Sequence, residues 1–264
     1  MKVFISADIE GTTGIASWDE AKKGHADYSY FSKQMTAEVV AAVRGSKEAG
    51  ACEVLVRDAH GSARNIDPSS LPEDATLLRG WARDPFMMMQ GIDESFDAVV
   101  FTGYHSPSGT GLNPLSHTMT DLIFSLKING VLMSEFALNA MTAAHFGVPV
   151  VFLSGDAGIA SIAEASIPGI ETVVTNMGRG ASVAAIHPSL SVRKIEEGVF
   201  RALSNVSVDC MTLPANFDVE ITYIDQKNAY HLSFFPGVEQ VDERTLQFAE
   251  TDYYEVLRKL LFLL

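Results

Sequence analysis

Two short polar pairs, Asp8-Ile9-Glu10 and Asp58-Ala59-His60, each punctuate an otherwise apolar run in this 264-residue chain. The paired residues are two apart, so on an extended backbone both side chains project to one side. His105 follows a third apolar run, and Glu135 opens a helical pattern just after Ser134. Carboxylates and imidazoles in such a mixed set suit Zn²⁺, Mn²⁺, Co²⁺ or Fe²⁺ better than Ca²⁺ or Mg²⁺. They are too many for one open tetrahedral ion but fit two ions that share a carboxylate. Brought together without a cation, the acids would repel one another. The residues alone therefore leave two readings, a two-metal centre or an acidic cleft. Asp58 is expected to orient His60, not to bind metal itself.

These residues meet only if the elements before them end at one edge. Val3 to Asp8, Glu53 to Asp58, Ala98 to Tyr104, Pro149 to Ser154 and Ile170 to Thr175 read as strands. A helix from about Tyr30 to Ala49, stopped by Gly50, separates the first two. The alternation predicts an α/β fold, a wound and mostly parallel sheet flanked by helices, in which ligands gather beyond the carboxyl ends of the strands. Asn129-Gly130 marks a hairpin between Ile123–Ile128 and Val131–Met133, and Ser134 caps a helix running to about Phe146 before Gly147. Ser191 to Asn205 reads as an amphipathic helix, Phe217 to Ile224 and Thr245 to Ala249 as strands, and Asp252 to Leu263 as a closing helix. The expected division is a metal-binding core over 1–185 and a smaller C-terminal α+β portion over 186–264, with no linker between them.

Charge narrows the partners. Nineteen Lys and Arg against thirty-three Asp and Glu give −14, which disfavours nucleic acid and anionic membrane surfaces. Cys52 and Cys210 fall in no metal-type spacing and read as reduced thiols, and no window suggests a signal peptide or membrane span. A cytoplasmic protein is expected. His25, His187 and His231 lie off the strand ends, and His145 suits a helix C-terminus. Met87-Met88-Met89 reads as packing, and Gly11 with Gly14 completes no dinucleotide-binding fingerprint. Taken alone, His117 reads as a structural loop histidine.

Ser6-Ala7-Asp8-Ile9-Glu10-Gly11 resembles the N-terminal signature of the D-aminopeptidase family of dizinc metallopeptidases. Val56-Arg57-Asp58-Ala59-His60, Gly103-Tyr104-His105, Ser116-His117-Thr118-Met119, Glu135-Phe136-Ala137-Leu138-Asn139-Ala140 and Ser154-Gly155-Asp156 follow in family order. Phe235 to Glu239 and Thr245 to Phe248 extend the likeness almost to the end. The resemblance implies two Zn²⁺ held by Asp8, Glu10, His60, His105 and Glu135, with Asp8 bridging. It implies that His117 is the catalytic histidine, near the metals but not on them. Asn139 and Asp156 would support the ligands or border the substrate. The segment Asp156-Ala157-Gly158 and the loop Ser106 to Leu115 depart from the family pattern.

The implied activity is release of an N-terminal D-residue, such as D-Ala, from short peptides or amides, with a water acidified between the metals as nucleophile. The resemblance also implies a homo-oligomer, specifically a homodecamer. A dizinc amidase acting on peptidoglycan-derived peptides and a non-catalytic binder of metal or cationic peptides are the competing expectations.

Overall fold

Valine, isoleucine, phenylalanine and alanine fill the central strands almost without interruption, as strands buried on both faces require. The computed structural model describes residues 1–204 and 206–264. Its strands are β1 (Lys2–Ala7), β2 (Glu53–Asp58), β3 (Ala75–Leu78), β4 (Ala98–Tyr104), β5 (Ile123–Ile128), β6 (Val131–Leu132), β7 (Val150–Asp156), β8 (Glu171–Arg179), β9 (Ser182–Ala185), β10 (Phe217–Tyr223), β11 (Glu239–Gln240) and β12 (Thr245–Glu250). The helices are α1 (Trp18–Ala21), α2 (Tyr28–Glu48), α3 (Glu135–His145), α4 (Ala157–Ser166), α5 (Pro188–Ser204), α6 (Gln226–Leu232) and α7 (Tyr253–Leu263). The expected end of the fifth helix, Asn205, lies outside the described residues.

A seven-stranded sheet runs β3-β2-β1-β4-β7-β8-β9, parallel except for its last strand. Val3, Ile5, Ala7, Val54, Val56 and Val100 face one core, which α2 and α5 cover side by side. Phe4, Val99, Phe101 and Leu153 face the other, against Phe136 and Ala140 of α3 and Ile159 of α4. The second sheet, β11-β12-β10-β5-β6, is antiparallel throughout. Helix α3 lies between the two: Phe136 and Ala140 join the parallel-sheet core, while Leu138 and Met141 join the antiparallel one.

Turn chemistry fixes the hairpin and helix ends. Asn129 and Gly130 take φ of 52° and 77°, the two positive angles of a type I′ turn. Ser134 accepts from the Ala137 amide at 3.0 Å, capping α3. The division expected near residue 185 does not follow the sheets. β5 precedes that point yet pairs with β10, and α5 follows it yet packs on α2. The apolar side of the hairpin finds its partner in the alternating strand β10, not in the parallel sheet beside it in sequence. Among the described residues, no helix is long and apolar enough to cross a membrane.

Candidate metal centre

Strand order reverses at β1, which has β2 on one side and β4 on the other, and the carboxyl ends of all three meet there. Asp8 follows β1, His60 follows β2 and His105 follows β4. Glu135, the first residue of α3, comes in from the helix between the sheets. The approach of β1 to β4 depends on glycine. Gly103 has φ +70°, and a Cβ there would stand 2.1 Å from the Asp8 carbonyl oxygen. No other residue fits.

The side chains converge tightly. His60 Nδ1 lies 3.2 Å from Asp8 Oδ1 and 3.1 Å from Glu10 Oε2. His105 Nε2 lies 3.4 Å from Asp8 Oδ2 and 3.3 Å from Glu135 Oε2. Asp8 thus turns one oxygen towards each of two groups. His117 Nε2 is 3.4 Å from Glu135 Oε1, and its ring stacks on that of His105 at 4.3 Å between centroids.

Each histidine spends its other nitrogen on a backbone carbonyl. His60 Nε2 donates to Ala21, His105 Nδ1 to Ser106 and His117 Nδ1 to Leu115, at 2.9, 3.0 and 2.9 Å. A carbonyl only accepts, so in each neutral ring the nitrogen facing the carboxylates carries the lone pair, which is the arrangement a metal ligand needs.

The cluster is buried and incompletely satisfied. Asp8 Oδ2, both Glu10 carboxylate oxygens and His105 Nε2 have no hydrogen-bond partner. Buried polar atoms left without a hydrogen bond are costly, and a divalent cation is the partner that all of them could share. One ligand atom each from Asp8, Glu10 and His105 fall within 4.8 Å of one another, as do those of His105, His117 and Glu135. His117, expected beside the metals, therefore lies within ligand reach of one group. In the protein alone, burial lowers the pKa of both imidazoles, but Glu10 and Asp8 around His60, and Glu135 and Asp8 around His105, hold them well above the usual range. Burial likewise works against ionisation of Asp8, yet His105 and His60 hold its carboxyl well below the usual value.

The remaining expected residues act at one remove. Asp58 does not touch the His60 ring. It accepts from the Asn65 and Ile66 amides and from Asn65 Nδ2, and that same Nδ2 donates to the His60 carbonyl. Asp156 is fully buried, caps α4, and accepts from the Ser106 amide next to His105. Asn139 donates to the Tyr104 hydroxyl at 2.9 Å, one helical turn behind Glu135. None of the three lines the cavity above the cluster. That cavity holds about 640 Å³, with Asp8, Glu10, His60, His117 and Glu135 among its lining residues.

Sequence reasoning missed several contributors. Trp18 sits edge-on to His117 at 5.2 Å, and α1 also supplies the Ala21 carbonyl to His60. Ser17 and Glu20 form a capping box, a readable signal for that short helix. Asn113, in the loop after His105, donates to the Glu10 carbonyl and to Asp156. Met88 and Met89 are buried as packing residues, but Met87 and Met88 also wall the cavity.

Comparison with known proteins agrees along the whole chain. A family model described as D-aminopeptidase matches residues 1–262. A D-aminopeptidase of Bacillus subtilis (strain 168) is 30% identical over 265 residues, covering 99% of this chain and 96% of that protein. The solved structure of the Zn-dependent D-aminopeptidase DppA from Bacillus subtilis, described as a self-compartmentalizing protease, aligns with a TM-score of 0.94 at 29% identity. That alignment covers 100% of this chain and 96% of the other. With a match from end to end and a cluster of metal-competent side chains at the sheet's switch point, the chain belongs to the D-aminopeptidase family.

Proposed function

We propose that this protein is a metal-dependent aminopeptidase that releases an N-terminal D-residue from short peptides. In this reading Asp8, Glu10, His60, His105 and Glu135 hold two Zn²⁺. The observation that carries it is the buried, unsatisfied donor set around Asp8, with one carboxylate oxygen facing each of two groups. A bound pair of divalent ions supplies an acidified water and a polarised scissile carbonyl.

The chain's own residues do the rest. The Ala21 and Ser106 carbonyls fix the tautomers and ring directions of His60 and His105, so neither needs to reorganise. Asp84 and Asp121, which line the cavity outside the ligand set, are the acids that can meet the substrate's α-ammonium. Leu115 keeps the proton of His117 on Nδ1, which leaves Nε2 to take a proton from the attacking water and return it to the leaving amine. Trp18 and His105 hold that ring on its two sides. A cavity of about 640 Å³ accommodates a short peptide.

The preference for D-residues rests on family membership. Hydrolysis of D- and L-aminoacyl p-nitroanilides tests it, with D-Ala expected to lead by about 10²-fold or more in kcat/KM. Preference for L-substrates would remove the stereochemical claim. Normal metal content without turnover on any peptide would favour a binding protein instead.

Assembly extends from the relative described as self-compartmentalizing. We infer a homo-oligomer, with ten subunits as the expected number. Phe124, Val131, Met177, Tyr230, Phe234 and Phe262 are exposed apolar side chains available for its contacts. Light scattering should return the mass of ten chains, and a monomer would refute the assembly. A cytoplasmic location suits the two free thiols, Cys52 and Cys210.

A further inference from the structure

The cavity with an acidic floor is also lined by three cations, Lys22, Lys23 and Arg83. Two of them are already engaged. Lys22 Nζ lies 3.9 Å from Asp121 and 4.6 Å from the centre of the Trp18 ring, and Lys23 donates to the Arg64 carbonyl at 3.1 Å. The Arg83 guanidinium is exposed and, among the described residues, makes neither a hydrogen bond nor an ion pair.

Its neighbours are tied down on both sides. The Gly80 amide donates to Ala63 at 2.7 Å, and the Gly80 carbonyl accepts from the buried Arg57. Trp81 Nε1 donates to Gly61 at 2.7 Å, with the Arg57 guanidinium stacked 4.3 Å from the centre of its ring. The Ala82 amide reaches Gln90, and Asp84 accepts from the Phe86 amide. The loop is anchored on both sides of Arg83, the lining cation that has no partner among the described residues.

Backbone strain points to the same place. Arg83 has φ of 63°, in the left-handed region that glycine favours. Met87 and Met119, at 47° and 64°, line the same cavity. Strained backbone that the surrounding fold holds in place tends to mark sites where ligand geometry matters.

We propose that Arg83 receives the C-terminal carboxylate of the substrate, which makes di- and tripeptides with a free carboxylate the preferred class over their amides. The inference rests on the aminopeptidase reading above. A guanidinium presents a planar fork that matches a carboxylate in two parallel hydrogen bonds. The cavity then offers Asp84 and Asp121, outside the ligand set, to the ammonium end of a zwitterionic peptide and Arg83 to its carboxylate end. Long chains and amidated peptides forgo the second contact.

The test compares kcat/KM for D-alanyl-D-alanine and for its C-terminal amide in the metal-loaded enzyme. Wild type should favour the free acid. Arg83→Gln should lower the acid-to-amide ratio about tenfold or more, mainly through KM, and Arg83→Lys should recover part of it. Arg83→Gly removes the guanidinium at a backbone angle that glycine tolerates, and keeps the test open if the Gln variant does not fold. A ratio within twofold of wild type in the neutral variants overturns the proposal. So does an equal loss on both substrates together with a changed assembly mass, which would make Arg83 a subunit contact. Wild-type enzyme that cleaves neither peptide would instead remove the aminopeptidase reading, and this inference with it.

Discussion

Among the described residues, the buried side-chain nitrogens and oxygens without a hydrogen-bond partner all fall between Asp8 and His105, on or beside the parallel sheet. The antiparallel sheet holds none of them. There Ile123, Leu126, Val219, Ile221, Leu246 and Phe248 fill the core. Buried tyrosines beside it find partners, Tyr223 on the Leu263 carbonyl at 2.8 Å and Tyr253 on the Leu138 carbonyl at 2.6 Å. One region buries apolar surface and gains stability from doing so. The other buries unpaired donors and acceptors, and those of Asp8, Glu10 and His105 converge where one cation could satisfy them, a departure from local consistency of the kind expected at functional sites.

That contrast is open to attack at its strongest point first. Asp8→Asn should abolish turnover, by about 10⁴-fold or more. It should also remove the rise in melting temperature that Zn²⁺ gives the metal-stripped wild type. A zinc-responsive Asp8→Asn protein would mean that the cluster does not share this carboxylate. His117→Ala should reduce kcat by at least about 10²-fold while the protein still takes up zinc. Parallel loss of metal and activity would make His117 a ligand, which its reach to His105 and Glu135 permits.

Leu246→Ala perturbs the other region. Leu246 is fully buried, and its truncation should cost about 3 kcal/mol of stability in a denaturant titration while kcat per folded molecule holds. A fall in kcat there would show the two sheets to be coupled through α3. The smallest effect is expected at Glu38, buried on α2 away from the ligands. Burial pushes its carboxyl above the usual value, although Gln34, Thr13 and Ser191 donate to it. A raised folded-state pKa stabilises the fold below the unfolded value near 4.5, and that contribution fades as pH rises through the folded value. Wild-type stability should therefore slope downward over that window, and Glu38→Gln should flatten the slope.

The two regions also differed in how readily they could be read. Alternation, the Asn129-Gly130 turn and the Ser134 cap announced the hairpin, the strands β10 and β12, and α3, because short-range rules govern them. The strands that deliver Asp8, His60 and His105 were visible as apolar runs, and the position of their ends needed only the rule about carboxyl edges. What stayed hidden was contact across long sequence distances. Nothing near Ala21 signals that its carbonyl holds His60, and Asn113 meets Glu10 over a hundred positions away. The side to which the hairpin belonged was equally invisible, since pairing with β10 skips past three helices and three strands of the chain. Arg83 carried no motif at all, and its interest arises only from a backbone angle and a missing partner.

Everything proposed for this site depends on the cluster around Asp8 holding two divalent metal ions. Elemental analysis of gently purified protein, read against chain concentration, tests it most directly. Close to two zinc or similar transition-metal ions per chain are expected, removed by chelation together with activity and restored together. Fewer than one per chain after zinc is supplied, with the protein folded, would contradict it.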